Sequence, residues 1–217
     1  MQETGIVNPD APARGPAYRI QTARLRIRCW MPGDAPLLKA AVDPNMDYLR
    51  PWMPWVKDAV EPIETRIAWL RKTRAEFDMD QDFTYGIFDR EESEVIGGTG
   101  LHLRQGKDAR EIGYWIQEKY EGRGYATETA AALTKVAFEV DRVSRVHICC
   151  SVANLKSARI PAKLGFQKEG VLRKRVPNPL GQLDAMTIWT MVDDEYPDSS
   201  LKSTDLCAFD AIGRRIL

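Results

Sequence analysis

The chain has 217 residues, and its 31 lysines and arginines balance 31 aspartates and glutamates, so the formal net charge is zero. This balance does not favour nucleic-acid binding, which is typical of basic domains. No apolar run approaches the roughly 20 residues that a membrane-spanning helix needs. A composition of 44% hydrophobic and 29% charged residues is typical of one globular domain.

We expect three regions along the chain. Residues 1–19 are rich in Pro and Ala and lack the apolar core of a secretory signal, so they are predicted to be a flexible leader. The domain is predicted to span 20–195, and the tail 196–217 has no obvious place in its sheet. The four cysteines form no C-x-x-C pair and only His102 and His147 are present, so we expect free thiols in a cytoplasmic protein and no metal site.

In the first half of the chain, alternating apolar residues over 23–30 predict a half-exposed strand, the first of the domain. A short helix through residue 42 follows, and 61–77 has the periodicity of an amphipathic helix, with Ile67 on its buried face. Strands are expected over 83–88 and 95–103. The pair Gly97-Gly98 in the second of these strands predicts a bulge or a close backbone approach.

Between these helices, residues 47–56 contain two prolines and three aromatic side chains: Tyr48, Trp52 and Trp55. The prolines exclude a helix interior or a central strand. Two interpretations stay open. The segment is either a loop held over the core by its aromatic side chains or an aromatic wall of a substrate groove, since ligand sites favour such linings.

The next segment is a strand over 110–117, a glycine-rich turn over 121–127 and a helix from 125 to 140. Glycines at 122 and 124 allow a sharp turn. Free N–H groups and the helix dipole converge at a helix N-terminus, so the turn is either an anion site or plain turn chemistry.

The last elements are a strand over 145–152, a helix over 154–164 that ends at Gly165, and two strands over 166–176 and 185–192. Together they predict an α/β fold with a mixed sheet and helices on both faces. Pro161 lies inside the second helix and removes the N–H partner of the Ser157 carbonyl. We expect that carbonyl to face a cofactor channel or an ordered water.

Two segments resemble the Gcn5-related N-acetyltransferases (GNAT): 113–128, GYWIQEKYEGRGYATE, and 154–166, NLKSARIPAKLGF. With 49–55, LRPWMPW, they are similar to the Rim-like branch, which acetylates the N-termini of ribosomal proteins. The resemblance spans about 20–195 and implies a GNAT-type, mostly antiparallel sheet. It implies an enzyme that transfers an acetyl group from acetyl-CoA to a primary amine by direct attack on the thioester.

In this family the glycine-rich segment binds the pyrophosphate of coenzyme A mainly through backbone N–H groups. The resemblance implies cofactor contacts from Ile116, Gln117, Gly122, Arg123, Gly124, Tyr125, Ala126, Thr127, Asn154 and Ser157. The family has Arg or Gln where this chain has Glu121. Because a carboxylate repels a diphosphate, we expect the side chain of Glu121 to face solvent.

The resemblance also implies catalytic roles. Glu118 matches the carboxylate expected to act as base, Glu111 is a second choice acting through water, and Ser157 is the candidate acid beside the sulfur. Both glutamates are otherwise ordinary surface residues, and Asn-x-x-Ser is otherwise only a capped helix start. Substrate contacts are expected from Tyr48, Trp52, Trp55 and Tyr114.

The acceptor stays open at this point. A protein or peptide N-terminal α-amine is the first choice, and a polyamine, an amino sugar or an amino-acid derivative is the alternative. A non-catalytic acyl-CoA-binding sensor is a third possibility. We expect no nucleic-acid or membrane partner, and a homodimer is possible.

Overall fold

The computed structural model describes residues 15–57, 59–178 and 181–217, so most of the predicted leader lies outside the described residues. The described residues form nine strands: β1 (Arg19–Gln21), β2 (Leu25–Cys29), β3 (Phe83–Asp89), β4 (Val95–His102), β5 (Ala109–Ile116), β6 (Arg145–Ser151), β7 (Gln167–Pro177), β8 (Leu183–Val192) and β9 (Cys207–Phe209). They also form five α-helices: α1 (Ala35–Val42), α2 (Met46–Leu49), α3 (Ile63–Asp78), α4 (Tyr125–Glu139) and α5 (Leu155–Lys163).

All nine strands join one sheet in the order β7-β8-β6-β5-β4-β3-β2-β1-β9. Every neighbouring pair is antiparallel except β5 and β6, which are parallel. The parallel pairing covers only Ala109 to Ile112 of β5. Beyond Ile112, β5 stays paired with β4 while β6 stays paired with β8, so the two strands separate and leave an open edge.

Two clusters of buried side chains pack on the two faces of the sheet. Ile87 and Phe88 are consecutive in β3 and therefore point to opposite faces. Ile87 belongs to the cluster that includes Leu133 of α4, and Phe88 belongs to the cluster that includes Leu38 of α1 and Leu70 of α3. The predicted fold class, a mixed and mostly antiparallel sheet with helices on both faces, is confirmed.

The predicted elements occur in the predicted order, but the ends of the chain differ from expectation. The strand predicted over 23–30 is the second, because β1 precedes it. The described end of the predicted leader belongs to the fold, since Ala17 is fully buried. The prediction that the tail has no place in the sheet is wrong: β9 pairs with β1 and Ala208 is fully buried. Strands of three residues are too short to show a period.

Two details of the core bear on the sequence pattern: one differs from it and the other explains it. Ile67, predicted to be buried on α3, is 37% exposed. The expectation of a close approach at the glycine pair is confirmed, because a Cβ at Gly97 would lie 2.0 Å from the backbone oxygen of Trp115 and one at Gly98 would lie 2.5 Å from its indole nitrogen. The two glycines therefore make room for Trp115, which lies on the separated half of β5.

Candidate active site

The glycine-rich turn lies directly after the separated half of β5. A single 3-10 turn, Glu118–Tyr120, connects β5 to this turn, and α4 begins at Tyr125. Gly122 and Gly124 have φ values of +73° and +81°, which residues with a side chain rarely adopt. Among the described residues, the backbone N–H groups from Gly122 to Thr127 have no protein acceptor, and residues 121–124 are exposed. We call this segment, residues 122–127, the cradle.

The open edge of β5 adds further free donors. The N–H of Gln117 donates to the Ile96 carbonyl at 2.9 Å, on the side of β4. Because backbone groups alternate along a strand, the N–H groups of Tyr114 and Ile116 point to the opposite side, where β6 has turned away. Ile116 is therefore well placed for cofactor contact. The Gln117 N–H is used and its side chain is buried, so a cofactor contact of Gln117 stays a prediction.

The strand end is pinned by a buried amide pair. Asn45 donates from Nδ2 to the Gln117 Oε1 at 3.2 Å, and the Glu118 N–H donates to Asn45 Oδ1 at 2.9 Å. The Gln117 Nε2 donates to the Val95 carbonyl. These bonds hold Glu118 at the surface just past the strand, where its carboxylate has no hydrogen-bond or ion-pair partner among the described residues. An exposed, unpaired carboxylate is available to accept a proton.

Ser157 lies across the open edge from Tyr114. The Tyr114 hydroxyl is 3.2 Å from Ser157 Oγ, and it donates to the Ser157 carbonyl at 3.3 Å. Burial raises the pKa of Tyr114 above its usual value, so the hydroxyl stays protonated. Asn154 caps α5 by accepting the Ser157 N–H at 3.0 Å, as predicted. Tyr114 was expected to contact the substrate, but its hydroxyl is committed to Ser157.

Pro161 affects α5 through the carbonyl that it leaves without a helical N–H, and whether that carbonyl faces the cofactor channel stays a prediction. The Ser157 carbonyl, which loses its helical partner to Pro161, accepts a hydrogen bond from the Tyr114 hydroxyl at 3.3 Å. The same hydroxyl lies beside Ser157 Oγ. The interior proline thus exchanges one helical hydrogen bond for a contact between α5 and β5 that places Ser157.

Replacing Pro161 with Ala tests this exchange. Alanine restores the backbone N–H, which will compete with the Tyr114 hydroxyl for the Ser157 carbonyl. We expect a higher free energy of unfolding, because an interior proline costs on the order of 3 kcal/mol. We also expect turnover to fall about threefold to tenfold, the usual worth of one hydrogen bond. Urea unfolding and steady-state kinetics measure both, and Tyr114→Phe is the matched control. Greater stability with unchanged turnover contradicts the exchange.

Glu121, which departs from the family pattern, is exposed but not free. Its carboxylate forms an ion pair with Lys156 of α5 and accepts a 2.8 Å hydrogen bond from the Tyr48 hydroxyl. Lys156 and then Tyr48 hold the pKa of Glu121 below its usual value. Because the charge is compensated by Lys156, its repulsion of a nearby anion is reduced. The expectation that Glu121 faces solvent therefore captures its exposure but not its two partners.

The segment 47–56 combines the two open interpretations. Leu49 and Val56 are buried and hold it to the core. Trp55 is 43% exposed, and its ring lies 5.9 Å from that of Trp115 on the separated half of β5. Trp52 is half-buried. Aliphatic residues thus attach the loop, and the Trp55 ring stays partly exposed beside the separated half of β5.

Glu111 is not brought to this site. It lies three residues before Tyr114 on β5 and so points to the opposite face. Its carboxylate accepts hydrogen bonds from Arg104 at 3.1 Å and Gln105 at 2.9 Å. Glu111 therefore lies on the other face of β5, with its carboxylate already bonded, and the catalytic roles of Glu118 and Glu111 stay predictions.

The two histidines and the Cys149 thiol have surroundings typical of structural rather than catalytic residues. His102 Nδ1 lies 2.7 Å from an Asp82 carboxylate oxygen, and His147 is buried with its Nδ1 2.8 Å from Thr190 Oγ1. Burial lowers the pKa of His147 and raises that of the Cys149 thiol to about 12, so both are neutral at pH 7. In the described ranges we find no group of side chains suited to a metal ion, and no helix there is long and apolar enough to cross a membrane.

Arg24, in the turn between β1 and β2, also reaches the cradle. It donates from Nη1 to the Arg123 carbonyl at 2.9 Å and forms an ion pair with Glu128 at 2.6 Å. Sequence reasoning missed it because Arg24 lies 99 residues before Arg123. Locally, Arg24 is only one of three arginines that alternate along a strand, a pattern typical of an exposed face.

These features match a known family. The model of the acetyltransferase (GNAT) domain matches residues 24–167, which include β5, the cradle and α5. The chain belongs to the GNAT family. Within it, the [ribosomal protein uS5]-alanine N-acetyltransferase of Escherichia coli (strain K12) is 28% identical over 161 residues, 71% of this chain and 81% of that protein.

Solved structures agree with the fold of this GNAT protein. The ribosomal-protein-S5-alanine acetyltransferase from Vibrio fischeri has a TM-score of 0.73 at 22% identity, over 82% of this chain and 98% of that one. Microcin C7 self immunity acetyltransferase MccE, solved with acetyl-CoA and AMP, has a TM-score of 0.72 at 20% identity, over 79% of this chain and 93% of that one. At these identities the likeness concerns the fold.

The protein is therefore an acetyl-CoA-dependent N-acetyltransferase, and acetyl-CoA supplies the acetyl group as a thioester. The residues present fit this cofactor. The cradle combines exposed N–H groups, two glycines with positive φ and a helix N-terminus, which together suit a diphosphate. The N–H groups of Tyr114 and Ile116 on the open edge suit the amide-containing arm of coenzyme A.

Proposed function

We propose that this GNAT enzyme acetylates the N-terminal α-amine of a protein; the name of its relative states N-acetylation of an alanine of ribosomal protein uS5. The observation that carries the proposal is that this relative aligns over 71% of the chain. The aromatic surface formed by Trp55 and Trp115 beside the open edge of β5 supports it, because such a surface can pack against the first side chains of a peptide.

The site residues have the following proposed roles. The N–H groups of the cradle bind the pyrophosphate, and Asn154 and Ile116 lie along the pantetheine arm. The N–H groups at the open edge of β5 donate to the thioester carbonyl oxygen, where negative charge develops. Glu118 accepts the proton of the attacking amine, directly or through water, and the Ser157 hydroxyl donates a proton to the departing sulfur.

The two proton transfers demand little of the protein. An α-amine has a pKa of about 7.7–8.0 and a thiol about 8.5, so near pH 8 neither proton transfer is difficult. Direct attack needs no covalent enzyme intermediate, which agrees with the protonated, half-buried Cys149. We further propose that the protein acts in the cytoplasm, where free thiols such as those of its four cysteines stay reduced. Homodimerisation stays a prediction.

A turnover assay with matched acceptors tests the proposed acceptor. Thiol release from acetyl-CoA is measured with peptides that begin with Ala or Ser and contain one internal lysine. The control peptides have the same sequence with a formylated N-terminus. We expect release only with the free N-terminus, and mass spectrometry should place the acetyl group on the α-amine.

Other acceptors in the same assay give the contrary outcomes. Polyamines and aminoglycosides represent small amines, and release with these but not with peptides assigns a small-molecule acceptor. Equal rates with free and formylated peptides assign the lysine side chain. No release with any acceptor, together with no coenzyme A binding by calorimetry, contradicts the cofactor roles as well.

A further inference from the structure

We propose that Arg24 is a positioning residue for the cradle and thereby sets the affinity of the enzyme for the pyrophosphate of acetyl-CoA. This inference rests on the pyrophosphate-binding role proposed for residues 122–127. Arg24 lies outside the three segments that carry the family resemblance, in the turn that joins β1 to β2. It nevertheless contacts the centre of the cradle.

Three observations place the Arg24 guanidinium against consecutive cradle residues. Its Nη1 donates to the Arg123 carbonyl at 2.9 Å. A Cβ built on Gly124 would lie 3.5 Å from its Nη2. Its central carbon lies 4.4 Å from the centroid of the Tyr125 ring, a cation–π distance. The Arg24 side chain therefore spans the junction between the glycine-rich turn and α4.

The direction of the Arg123 carbonyl decides what the cradle presents. In a trans peptide the C=O and the following N–H point in opposite directions. Because Arg24 holds the Arg123 carbonyl toward itself, the N–H of Gly124 points away from Arg24 and is left free for an anion. If this peptide unit rotated by about half a turn, the Arg123 carbonyl oxygen would take the place of the Gly124 N–H and repel a phosphate.

Without Arg24, the local sequence would let this peptide unit rotate easily. Gly122 and Gly124 flank Arg123, and both have positive φ. Glycine populates several backbone regions with little preference, so this stretch has few internal restraints. Arg24 supplies the missing restraint from another part of the sheet, and it does so with a charge-assisted hydrogen bond, which is stronger than a neutral one.

Arg24 itself is held by Glu128 in the first turns of α4. Glu128 accepts from Arg24 Nε at 2.7 Å, from the Arg24 N–H at 3.2 Å and from Thr22 Oγ1 at 2.6 Å. The positive charge of Arg24 is therefore already paired. This pairing argues that Arg24 acts through the shape of the cradle rather than as a free cation for the phosphates.

The test compares two acetyl donors: acetyl-CoA and S-acetyl-pantetheine, which lacks the pyrophosphate. For Arg24→Ala we expect KM for acetyl-CoA to rise about 10-fold, the usual worth of a charge-assisted hydrogen bond, with kcat within about threefold. The kcat/KM for S-acetyl-pantetheine should not change, whereas a general loss of structure would lower it for both donors. Arg26→Ala is the matched control, since Arg26 pairs with Glu92 and not with the cradle.

Arg24→Lys separates positioning from charge and remains informative if Arg24→Ala does not fold. Lysine keeps the charge but lacks the planar fork that binds the carbonyl and Glu128 together, so KM for acetyl-CoA should stay raised. A normal KM in Arg24→Lys, or in a folded Arg24→Ala, overturns the inference. If Gly124→Val also leaves acetyl-CoA binding unchanged, the cradle assignment itself fails. If Gly124→Val weakens binding and Arg24→Ala does not, only the role of Arg24 fails.

Discussion

Replacing Gly124 with valine is expected to weaken acetyl-CoA binding roughly 100-fold or more. Gly124 has a φ of +81°, and a left-handed conformation costs a β-branched residue on the order of 1–3 kcal/mol, so the turn will reorganise rather than accept the strain. Reorganisation turns the free N–H groups of the cradle away from a common point. A Cβ would lie 3.5 Å from Arg24 Nη2, an ordinary contact distance, so the expected loss comes from the backbone conformation and not from a clash.

Isothermal calorimetry with coenzyme A measures this effect directly. The matched control is Gly106→Val, because Gly106 also has a positive φ of +99° and open space around it, but lies in the turn that precedes β5. The eight residues of β5 separate that turn from the cradle, about 26 Å at the usual rise per residue. Equal binding by Gly124→Val and the unaltered enzyme would place the pyrophosphate site elsewhere.

Replacing Ser157 with alanine is expected to lower kcat by about 100-fold while the KM for acetyl-CoA changes little. General acids contribute roughly 10²–10⁴-fold, and the low end applies because a thiolate is already a tolerable leaving group. Alanine keeps the α5 cap, since Asn154 accepts the backbone N–H of residue 157 and not its hydroxyl. The variant therefore removes the proton donor and leaves the helix start in place.

Single-turnover kinetics separate this chemical step from product release. Ser203→Ala is the control, since Ser203 is an exposed serine of the tail whose hydroxyl donates to the Ser200 carbonyl. Tyr114→Phe should give an intermediate rate, because it leaves the Ser157 hydroxyl without its neighbour at 3.2 Å. An unchanged rate for Ser157→Ala reduces the residue to part of the helix start.

The large and periodic features of this protein were readable from its sequence. Apolar alternation located the main strands, and the order of strands and helices was right. The glycine pair at 122 and 124, the Asn154 cap and the glycine at 165, which has a φ of +83°, were also readable, because each expresses a backbone geometry that few residues adopt. Local patterns thus determined the class of fold and the position of the cradle.

Other features of the site depend on partners far apart in the chain. Tyr114 and Ser157 are 43 residues apart, and Glu121 and Tyr48 are 73 apart. No local period announces such pairs, since they follow from which strands are neighbours and in which register they pair. The sequence singled out Tyr114, Glu121 and Pro161, but only the tertiary structure showed what each of them contacts.

The sequence by itself therefore determined that the chain has a mixed sheet and a glycine-rich turn before α4, because periodicity and glycine geometry are local properties. The tertiary structure decided where β5 and β6 separate, which N–H groups stay free, and that Arg24 contacts the cradle. It decided them because a hydrogen bond across a sheet depends on strand register, and register is set by the burial of all the strands together.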